Sequence, residues 1–363
     1  MPDPTSQPER IDLRRADDPR DIVHRAVACL AQGGVVALPT DAADCLAACA
    51  LQLGAVARLL ALAASDAPGT PALALRGPGE LADWVPDLDE TGRRLARRGW
   101  PGPLTLVSRG AVDRGLARRL LAEVRAAVVR DGALALCVPG HPLTREIGRL
   151  TSGPLVLAPT SRTDLQGLDM VIDDGPAPLV AHTVVALDPG GWRLLEAGAF
   201  REEDLVRMAG TMLLFVCTGN TCRSPMAAAI CKRRLADRLG CAPDDLERRG
   251  FVVLSAGLAA AHGHPAAREA VDVVEVLGGS LRDHASQPLT PELVAAADLI
   301  VVMTRDHRHA LLSQVPDAAD RVRLLHPRGG DIADPIGLDR DVYHQTASEI
   351  AEHLDHILDE LAI

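Results

Sequence analysis

The chain has 363 residues, a formal net charge of −11, and a composition that is 47% hydrophobic and 24% charged. These values exclude wholesale disorder and a fibrous fold, and the length suggests two domains at ~100–200 residues each. Because both halves are acidic, bulk charge does not indicate a nucleic-acid partner. No segment reaches the ~18 uninterrupted apolar residues of a membrane helix, and eight cysteines are too sparse for a disulfide framework. We therefore expect a cytoplasmic protein with reduced cysteines and no membrane partner.

The first half alternates helical and strand-like runs after a polar segment at residues 1–20, which we expect to be loose. Apolar residues at helical spacing predict helices, and short apolar runs predict buried strands. The predicted helices are 21–33, 53–64 and 90–98, and the predicted strands are 34–39, 71–75, 104–107, 133–138, 155–158 and 183–187. This pattern indicates a mixed α/β domain over residues 21–208, with Gly210 as the joint.

The second half, residues 211–363, begins with the fully apolar run Met212–Val216, which is typical of a central parallel strand. The other predicted strands are 251–257, 299–303 and 322–325, and the predicted helices are 224–239, 265–277, 305–314 and 341–361. Regular alternation of strand and helix predicts a doubly wound sheet of four parallel strands.

A Cys-x5-Arg-Ser sequence follows the first strand of this second domain and precedes its first helix. The successive N–H groups of such a loop and the helix N-terminus form an anion cradle, and they favour the thiolate form of Cys217. Arg223 can hold two phosphate oxygens with its planar guanidinium. The phosphate-binding loop is predicted to comprise Thr218, Gly219, Asn220, Thr221, Cys222 and Ser224. We expect Gly219 to let the backbone bend and Asn220 to adopt a left-handed conformation.

A cysteinyl-phosphate mechanism also needs a general acid for the leaving atom. Asp334, in the Asp-Pro-Ile-Gly turn after the last predicted strand, is the candidate, because such loops gather at the carboxyl edge of the sheet. Metal ions and other cofactors are not needed by this mechanism. Two His-x-His pairs, His262/His264 and His307/His309, favour solvated histidines over a metal site.

These motifs resemble the low-molecular-weight protein tyrosine phosphatase family over residues 212–361. The resemblance implies a protein phosphatase with a phosphorylated protein as substrate. It also implies that Cys217 is the nucleophile, Arg223 the phosphate clamp, and Asp334 the acid and then the base. Cys222 is either a bystander or an oxidation partner of Cys217. Arsenate reductases share this fold but need further cysteines downstream, and none follows Cys241.

The loop sequence CTGNTCRSPMA is most similar to the protein-arginine-phosphatase group of that family, which carries threonine where Thr221 stands. Tyrosine phosphatases usually carry a bulky aliphatic residue there and wall the pocket with aromatic rings. Here the wall has the small Ala260 and the aliphatic Ile336, which offer little ring surface to a phenol. Phosphoarginine and phosphotyrosine both remain candidate substrates.

Residues 21–205 resemble the YrdC-like fold of threonylcarbamoyl-AMP synthases, for example in GGVVALPTDAADCLAA and PLVLAPTS. Several positions where that family has cationic or other site residues differ here: Asp41 to Cys45, Ala63, Ser65, Cys137, Thr160, Arg162 and Glu196. Lost arginine and lysine contacts would each remove ~1.5–3 kcal/mol from triphosphate binding. We therefore expect a degenerate domain that binds a nucleotide or a protein partner.

Three functions follow from the sequence. The leading hypothesis is a cysteine-dependent phosphatase fused to a YrdC-like binding domain. A second is a bifunctional protein that also makes threonylcarbamoyl-AMP for tRNA modification. A third is a phospho-binding scaffold without turnover.

Overall fold

The computed structural model of the chain describes residues 7–64, 70–109, 111–164, 166–176, 180–188 and 190–361. The chain divides into two compact units, Met1–Leu205 and Val206–Ile363. The division falls within a helix that ends just before Gly210, the joint predicted from the sequence. Ser65, one of the positions singled out in the first half, lies outside the described residues.

The first unit is a mixed α/β layer structure built on one large sheet. Its strands are β1 (Glu9–Asp12), β2 (Val36–Leu38), β3 (Cys45–Cys49), β4 (Ala72–Ala74), β5 (Leu104–Ser108), β6 (Val129–Arg130), β7 (Ala133–Cys137), β8 (Leu155–Pro159), β9 (Met170–Asp173), β10 (Thr183–Asp188) and β11 (Gly191–Glu196). Its helices are α1 (Pro19–Ala31), α2 (Leu53–Ala64), α3 (Leu81–Trp84), α4 (Glu90–Gly99), α5 (Ala111–Arg114), α6 (Ala122–Val128) and α7 (Pro142–Leu150), and α8 (Glu202–Ala209) crosses the division. The strand order is β1-β9-β2-β3-β8-β4-β7-β5-β10-β11, with β6 on β7, and parallel and antiparallel pairs are mixed.

The polar segment at residues 1–20 is not loose throughout. Residues Glu9–Asp12 form β1, which pairs in parallel with β9, and Ile11 packs against the hydrophobic core. Asp18 then caps α1, because its side chain accepts a hydrogen bond from the backbone N–H of Arg20 at 2.9 Å. Strand β1 lies at the edge of the sheet and packs one apolar residue, Ile11, against the core. Four residues with one apolar side chain give too little alternation to predict a strand from the sequence.

The second unit is a doubly wound sheet of four parallel strands, as the sequence predicts. Its strands are β12 (Thr211–Cys217), β13 (Phe251–Gly257), β14 (Leu299–Val302) and β15 (Val322–Leu324), in the order β13-β12-β14-β15. Its helices are α9 (Arg223–Leu239), α10 (Arg268–Val276), α11 (Pro291–Ala296), α12 (Arg305–Gln314) and α13 (Arg340–Glu360). The short helix α11 is absent from the sequence prediction, since six residues give too little periodicity to detect.

The two faces of the central strand β12 bury alternate residues against different helices. Leu213 and Phe215 belong to the core that includes α9, α10 and α13, whereas Leu214 and Val216 belong to the core that includes α11 and α12. All four side chains are fully buried. A strand covered on both faces has to be apolar at every position, which explains the unbroken run MLLFV. Cys217 then ends the strand at the carboxyl edge of the sheet.

Across the part of the chain that the structure describes, no helix has the length and apolar character needed to span a membrane.

Replacing Leu354 of α13 with alanine should lower the free energy of unfolding of the second unit by about 2–5 kcal/mol, because this fully buried side chain fills the core between α13 and β12. Leu338→Ala is the matched control, since that leucine is 53% exposed. Calorimetric unfolding of the full chain measures both. Equal effects of the two substitutions would contradict the placement of α13 against the core.

Candidate active site

The Cys-x5-Arg loop joins the carboxyl end of the central strand to the first turn of a long helix. Cys217 is the last residue of β12 and pairs in register with Gly257 at the end of β13. Arg223 begins α9, which runs for 17 residues, so the loop faces the positive end of the helix. Cys217 and Ser224 are buried at the base of this loop. The strand–loop–helix arrangement that the sequence predicts is present, and its binding of an anion stays a prediction.

The sulfur of Cys217 receives two hydrogen-bonding groups. Its Sγ lies 3.0 Å from the hydroxyl oxygen of Ser224 and accepts a bond from the backbone N–H of Asn220 at 3.3 Å. The sulfur thus lies at the base of the loop between the Ser224 hydroxyl and the N–H of Asn220.

Asn220 connects the loop to the rest of the sheet edge. Its φ of 54° is the left-handed conformation expected from the sequence. Its side-chain amide donates at 2.9 Å to both Ser224 Oγ and Ser255 Oγ. Its side-chain oxygen accepts from the N–H of Gln287 at 2.9 Å, and its carbonyl accepts from His284 Nε2 at 2.8 Å. One buried asparagine thus fixes the loop against two other segments.

The glycine on which the loop depends is Gly257, not Gly219. A Cβ at Gly257 would lie 2.5 Å from the carbonyl oxygen of Thr218 and 2.9 Å from the N–H nitrogen of Asn220. Gly219 has no positive φ, and a Cβ there would meet only Thr221 Oγ1 at an ordinary 3.7 Å. Residues 218–220 all lie within the bend, which so includes Gly219, while the left-handed φ is at Asn220 and the close backbone approach is at Gly257 of β13.

Arg223 and Asp334 are brought into direct contact, although 111 positions separate them. Arg223 is 6% exposed, and its guanidinium donates at 2.5 Å to Asp334 Oδ2 and at 3.1 Å to the carbonyl of Ile332. Asp334 itself is partly exposed, with its side chain at 40%. The loop thus carries a buried cation whose guanidinium is paired with a carboxylate at the mouth.

Thr218 is held by a histidine from another strand end. Its hydroxyl lies 2.9 Å from Nε2 of His307, near the start of α12. Burial, followed by the nearby charge of Arg223, lowers the pKa of His307, which favours the neutral imidazole. His307 therefore supports the loop rather than acting as one half of a solvated pair with His309.

Thr221 and Cys222 complete the loop. The hydroxyl of Thr221 lies 3.7 Å from the sulfur of Cys222, and that sulfur lies 3.3 Å from the phenol oxygen of Tyr343. Burial, with a further contribution from the bond to Cys222, raises the pKa of Tyr343, so the phenol is neutral. Both Cys217 and Cys222 are free thiols. Their pairing under oxidation stays a prediction.

No aromatic ring of the second unit stands at the mouth of this loop. The aromatic residues of residues 206–363 are Phe215, Phe251 and Tyr343. Phe215 is fully buried, Tyr343 is 2% exposed, and Phe251 begins β13 at the end of the sheet opposite to the loop. Ile336, two residues after Asp334, is 64% exposed beside it. The mouth is therefore aliphatic and open.

The supporting residues that sequence reasoning missed are Gly257, Ser255, Gln287, His284, His307 and Tyr343. The sequence carried a usable signal for three of them, Ser255, Gly257 and His307, because each stands at or just after a predicted strand end. Ser-Ala-Gly ends β13 and Met-Thr-Arg-Asp-His follows β14, and both strands end at the edge where β12 ends. Gln287, His284 and Tyr343 arrive from loops and a helix that carry no comparable pattern.

The departures noted in the first half converge on one small cavity in the first unit. Cys45, Cys137 and Glu196 line it together with His182, and its volume is about 140 Å³. Among its described lining residues there is no arginine or lysine. Burial raises the pKa of the Cys45 thiol and, to about 12, that of Cys137, so both are neutral. Two positions where the resembled synthases have arginine, Cys137 and Glu196, thus line this cavity with a neutral thiol and a carboxylate.

Asp41 and Arg162, two other positions singled out in the first half, pair with residues that do not line this cavity. Asp41 accepts a hydrogen bond from the N–H of Gly140 at 2.8 Å, and its other carboxylate oxygen is buried without a partner among the described residues. Arg162 pairs with Asp164 at 3.0 Å, and both side chains are more than half exposed.

Gly257→Ala should reduce phosphatase turnover much more than Gly219→Ala, because only the first places a Cβ inside the backbone of the loop. The expected loss is at least about tenfold in kcat/KM, corresponding to about 1.4 kcal/mol of lost transition-state stabilisation. Steady-state kinetics on the two variants measures this. A larger effect at Gly219 would contradict the loop geometry described above.

Comparisons with known proteins find two families, one in each half of the chain. The family model for low molecular weight phosphotyrosine protein phosphatase matches residues 212–362, and the Sua5/YciO/YrdC model, described as telomere recombination, matches residues 28–166. A protein-arginine-phosphatase of Bacillus subtilis is 38% identical over 41% of this chain and 95% of its own length. A probable low molecular weight protein-tyrosine-phosphatase, EpsP of Ralstonia nicotianae, is 35% identical over 39% of this chain and 90% of its own length.

Among solved structures, a YwlE mutant from Bacillus subtilis is similar at 35% identity, covering 42% of this chain and 100% of its own, with a TM-score of 0.38. The relatives are matched over nearly their full length, and the matched segment contains the whole phosphate-binding loop and Asp334. Through its second unit, the chain belongs to the low molecular weight phosphotyrosine protein phosphatase family and is a protein phosphatase.

Proposed function

We propose that the second unit removes phosphoryl groups from phosphoarginine in proteins through a cysteinyl-phosphate intermediate on Cys217. The observation that carries the mechanism is the buried Cys217 sulfur at the base of the loop, with the Ser224 hydroxyl and the Asn220 N–H bonded to it. An inert buried cysteine would not need two hydrogen-bonding groups directed at its sulfur.

In the first step the thiolate of Cys217 attacks phosphorus, a P–S bond forms, and the P–N bond to the guanidinium breaks. Asp334 donates a proton to the departing nitrogen, so arginine leaves as its stable guanidinium cation rather than as the strongly basic neutral guanidine. In the second step Asp334 takes a proton from water, the water oxygen attacks phosphorus, and the P–S bond breaks. Inorganic phosphate and the thiolate are released, and Ser224 stabilises the sulfur as it leaves.

Before substrate binds, the contact with Arg223 holds the Asp334 carboxylate at the mouth of the loop. An incoming phosphate dianion competes for the guanidinium that Asp334 occupies at 2.5 Å. Once displaced, the carboxyl group is released at the mouth of the loop, where its side chain is already partly exposed. The released carboxyl group can then face the leaving nitrogen of the bound substrate.

Two features support phosphoarginine over phosphotyrosine. Thr221 places a hydroxyl in the loop, where a bulky aliphatic side chain would close the space and could not bond to a guanidinium. The mouth also lacks an aromatic ring from the second unit, so a phenol would gain no ring stacking there. The similarity to a protein-arginine-phosphatase is a third, independent support.

Phosphate release from matched phosphoarginine and phosphotyrosine peptides tests this proposal. The wild-type chain should prefer phosphoarginine, and Thr221→Ile should shift the ratio of the two kcat/KM values toward phosphotyrosine by at least about tenfold. Cys217→Ser is the control for turnover and should release phosphate from neither peptide.

A wild-type preference for phosphotyrosine that Thr221→Ile leaves unchanged would overturn the substrate assignment while keeping the phosphatase. Stoichiometric phosphopeptide binding without release would instead favour a scaffold.

We further propose that the first unit is a binding module without synthase activity. The cavity of about 140 Å³ offers no described cation for a triphosphate, and Glu196 adds a negative charge to its wall. Its ligand is then a small uncharged or cationic group, or a protein partner. A bifunctional enzyme would need the lost charges at this position.

The full chain should therefore show no threonylcarbamoyl-AMP formation from threonine, bicarbonate and ATP, and no saturable ATP binding by calorimetry up to millimolar concentration. Phosphatase turnover of the same sample shows that it is folded. Saturable ATP binding that Glu196→Gln strengthens would keep the nucleotide site, and measurable product formation would restore the bifunctional alternative.

A further inference from the structure

Two histidines and one glutamate lie together outside the phosphate-binding loop. One ligand atom of each of His326, Glu349 and His353 lies within 4.8 Å of the others. His326 follows β15 on the segment that leads to Asp334, and the other two stand on α13. The i,i+4 spacing of Glu349 and His353 puts both on one face of the helix. Two separate elements of the fold therefore direct their ligating side chains to the same point.

The local contacts leave these side chains short of partners. Nδ1 of His353 is buried and has no hydrogen-bond partner among the described residues, and its Nε2 is 3.8 Å from Glu349, beyond hydrogen-bond length. The side chain of His353 is only 12% exposed, so water does not easily take the place of a partner. The rings of His326 and His353 are 4.5 Å apart with a tilt of 54°, which is not a stacked packing contact.

We propose that His326, Glu349 and His353 form a binding site for a divalent transition-metal ion of the zinc type. Two imidazoles and one carboxylate are the ligand set that zinc accepts, with a fourth position left for water. Tetrahedral bonds of about 2.0–2.2 Å place ligand atoms roughly 3.3–3.6 Å apart. The present separations therefore need to contract by at most ~1.5 Å, which rotation of the long glutamate side chain can supply.

The protonation of the histidines suits this role. Burial, and next the proximity of His326, lowers the pKa of His353 and favours its neutral, ligating form. Nδ1 of His326 accepts the backbone N–H of Arg328 at 3.1 Å, so in the metal-free state its Nε2 carries the proton. Metal binding at Nε2 moves that proton to Nδ1 and breaks the bond to Arg328, an exposed residue whose N–H then bonds to water. This cost predicts moderate rather than extreme affinity.

Bound metal would tie the segment before Asp334 to α13. His326 stands at the start of that segment, and Ile332, fully buried within it, offers its carbonyl to Arg223 at 3.1 Å. The same helix carries Tyr343, which contacts the loop cysteine Cys222. The site is thus placed to hold the acid-bearing segment against the helix without touching the substrate.

Zinc titration of the full chain in competition with a chromophoric chelator tests the site directly. We expect one Zn²⁺ per chain, and at least about tenfold weaker binding in both His353→Gln and Glu349→Gln. His309→Gln, which removes an exposed histidine of α12, is the matched control and should bind as the wild type does. Saturating Zn²⁺ should raise the unfolding temperature of the wild type and not of the two variants.

Cobalt substitution separates this site from the thiols of the chain. Co²⁺ at two imidazoles and a carboxylate gives visible d–d absorption without a thiolate charge-transfer band. A thiolate band that disappears in Cys217→Ser would place the metal at the catalytic cysteine and overturn the proposal. Equal zinc affinity in wild type, His353→Gln and Glu349→Gln, or no competition with the chelator, would also overturn it. These readouts do not depend on phosphatase turnover, so the proposed function can fail without affecting them.

Discussion

The loop between Cys217 and Ser224 depends on the hydrogen bonds of one buried side chain, that of Asn220. In a left-handed conformation it turns its N–H toward Cys217 while its amide bonds to Ser224 and Ser255 and its side-chain oxygen receives the N–H of Gln287. A buried amide with all these partners is costly to disturb, because any displaced partner is left unsatisfied. These bonds hold the loop in one conformation, with the N–H of Asn220 on the Cys217 sulfur.

The sheet makes this arrangement possible. A strand buried on both faces can end abruptly in a polar loop only where neighbouring parallel strands end too, and β12 ends in register with Gly257 of β13. The absent side chain at Gly257 lets the loop backbone approach the neighbouring strand. From the far side of the unit, a single loop then brings Asp334 onto Arg223. The reaction thus depends on three strand ends and one long-range ion pair.

Much of this could be predicted from the sequence because its signals are local. Helices α2 and α12 have the predicted bounds, since their apolar spacing is regular, and the parallel sheet follows from unbroken apolar runs. Strand β3, with the sequence CLAAC, was not predicted because alanine has a low strand propensity, and β11 is mostly exposed and lacks a buried face. Where tertiary contacts decide the structure, local propensity gives no signal.

The same distinction applies to the sites. The candidates Cys217, Arg223 and Asp334 could be identified because their motifs sit next to predicted strand ends. The cluster of His326, Glu349 and His353 could not, because only the packing of α13 beside the segment after β15 brings it together. The His-x-His pairs that drew attention in the sequence turned out to be uninformative, and His307 supports Thr218 instead. Histidines that are close in the sequence therefore do not predict a metal site whose ligands come from two separate elements.

The central claim is that Cys217 carries the phosphoryl group during turnover. Rapid acid-free quenching of the chain with a phosphoarginine peptide, followed by mass spectrometry of its proteolytic fragments, measures this directly. Wild type and Asp334→Asn should both show one phosphoryl group on the fragment containing Cys217, and the adduct should persist longer in Asp334→Asn because water attack lacks its base. Phosphate release without any adduct on that fragment, or an adduct on another residue, would contradict the account.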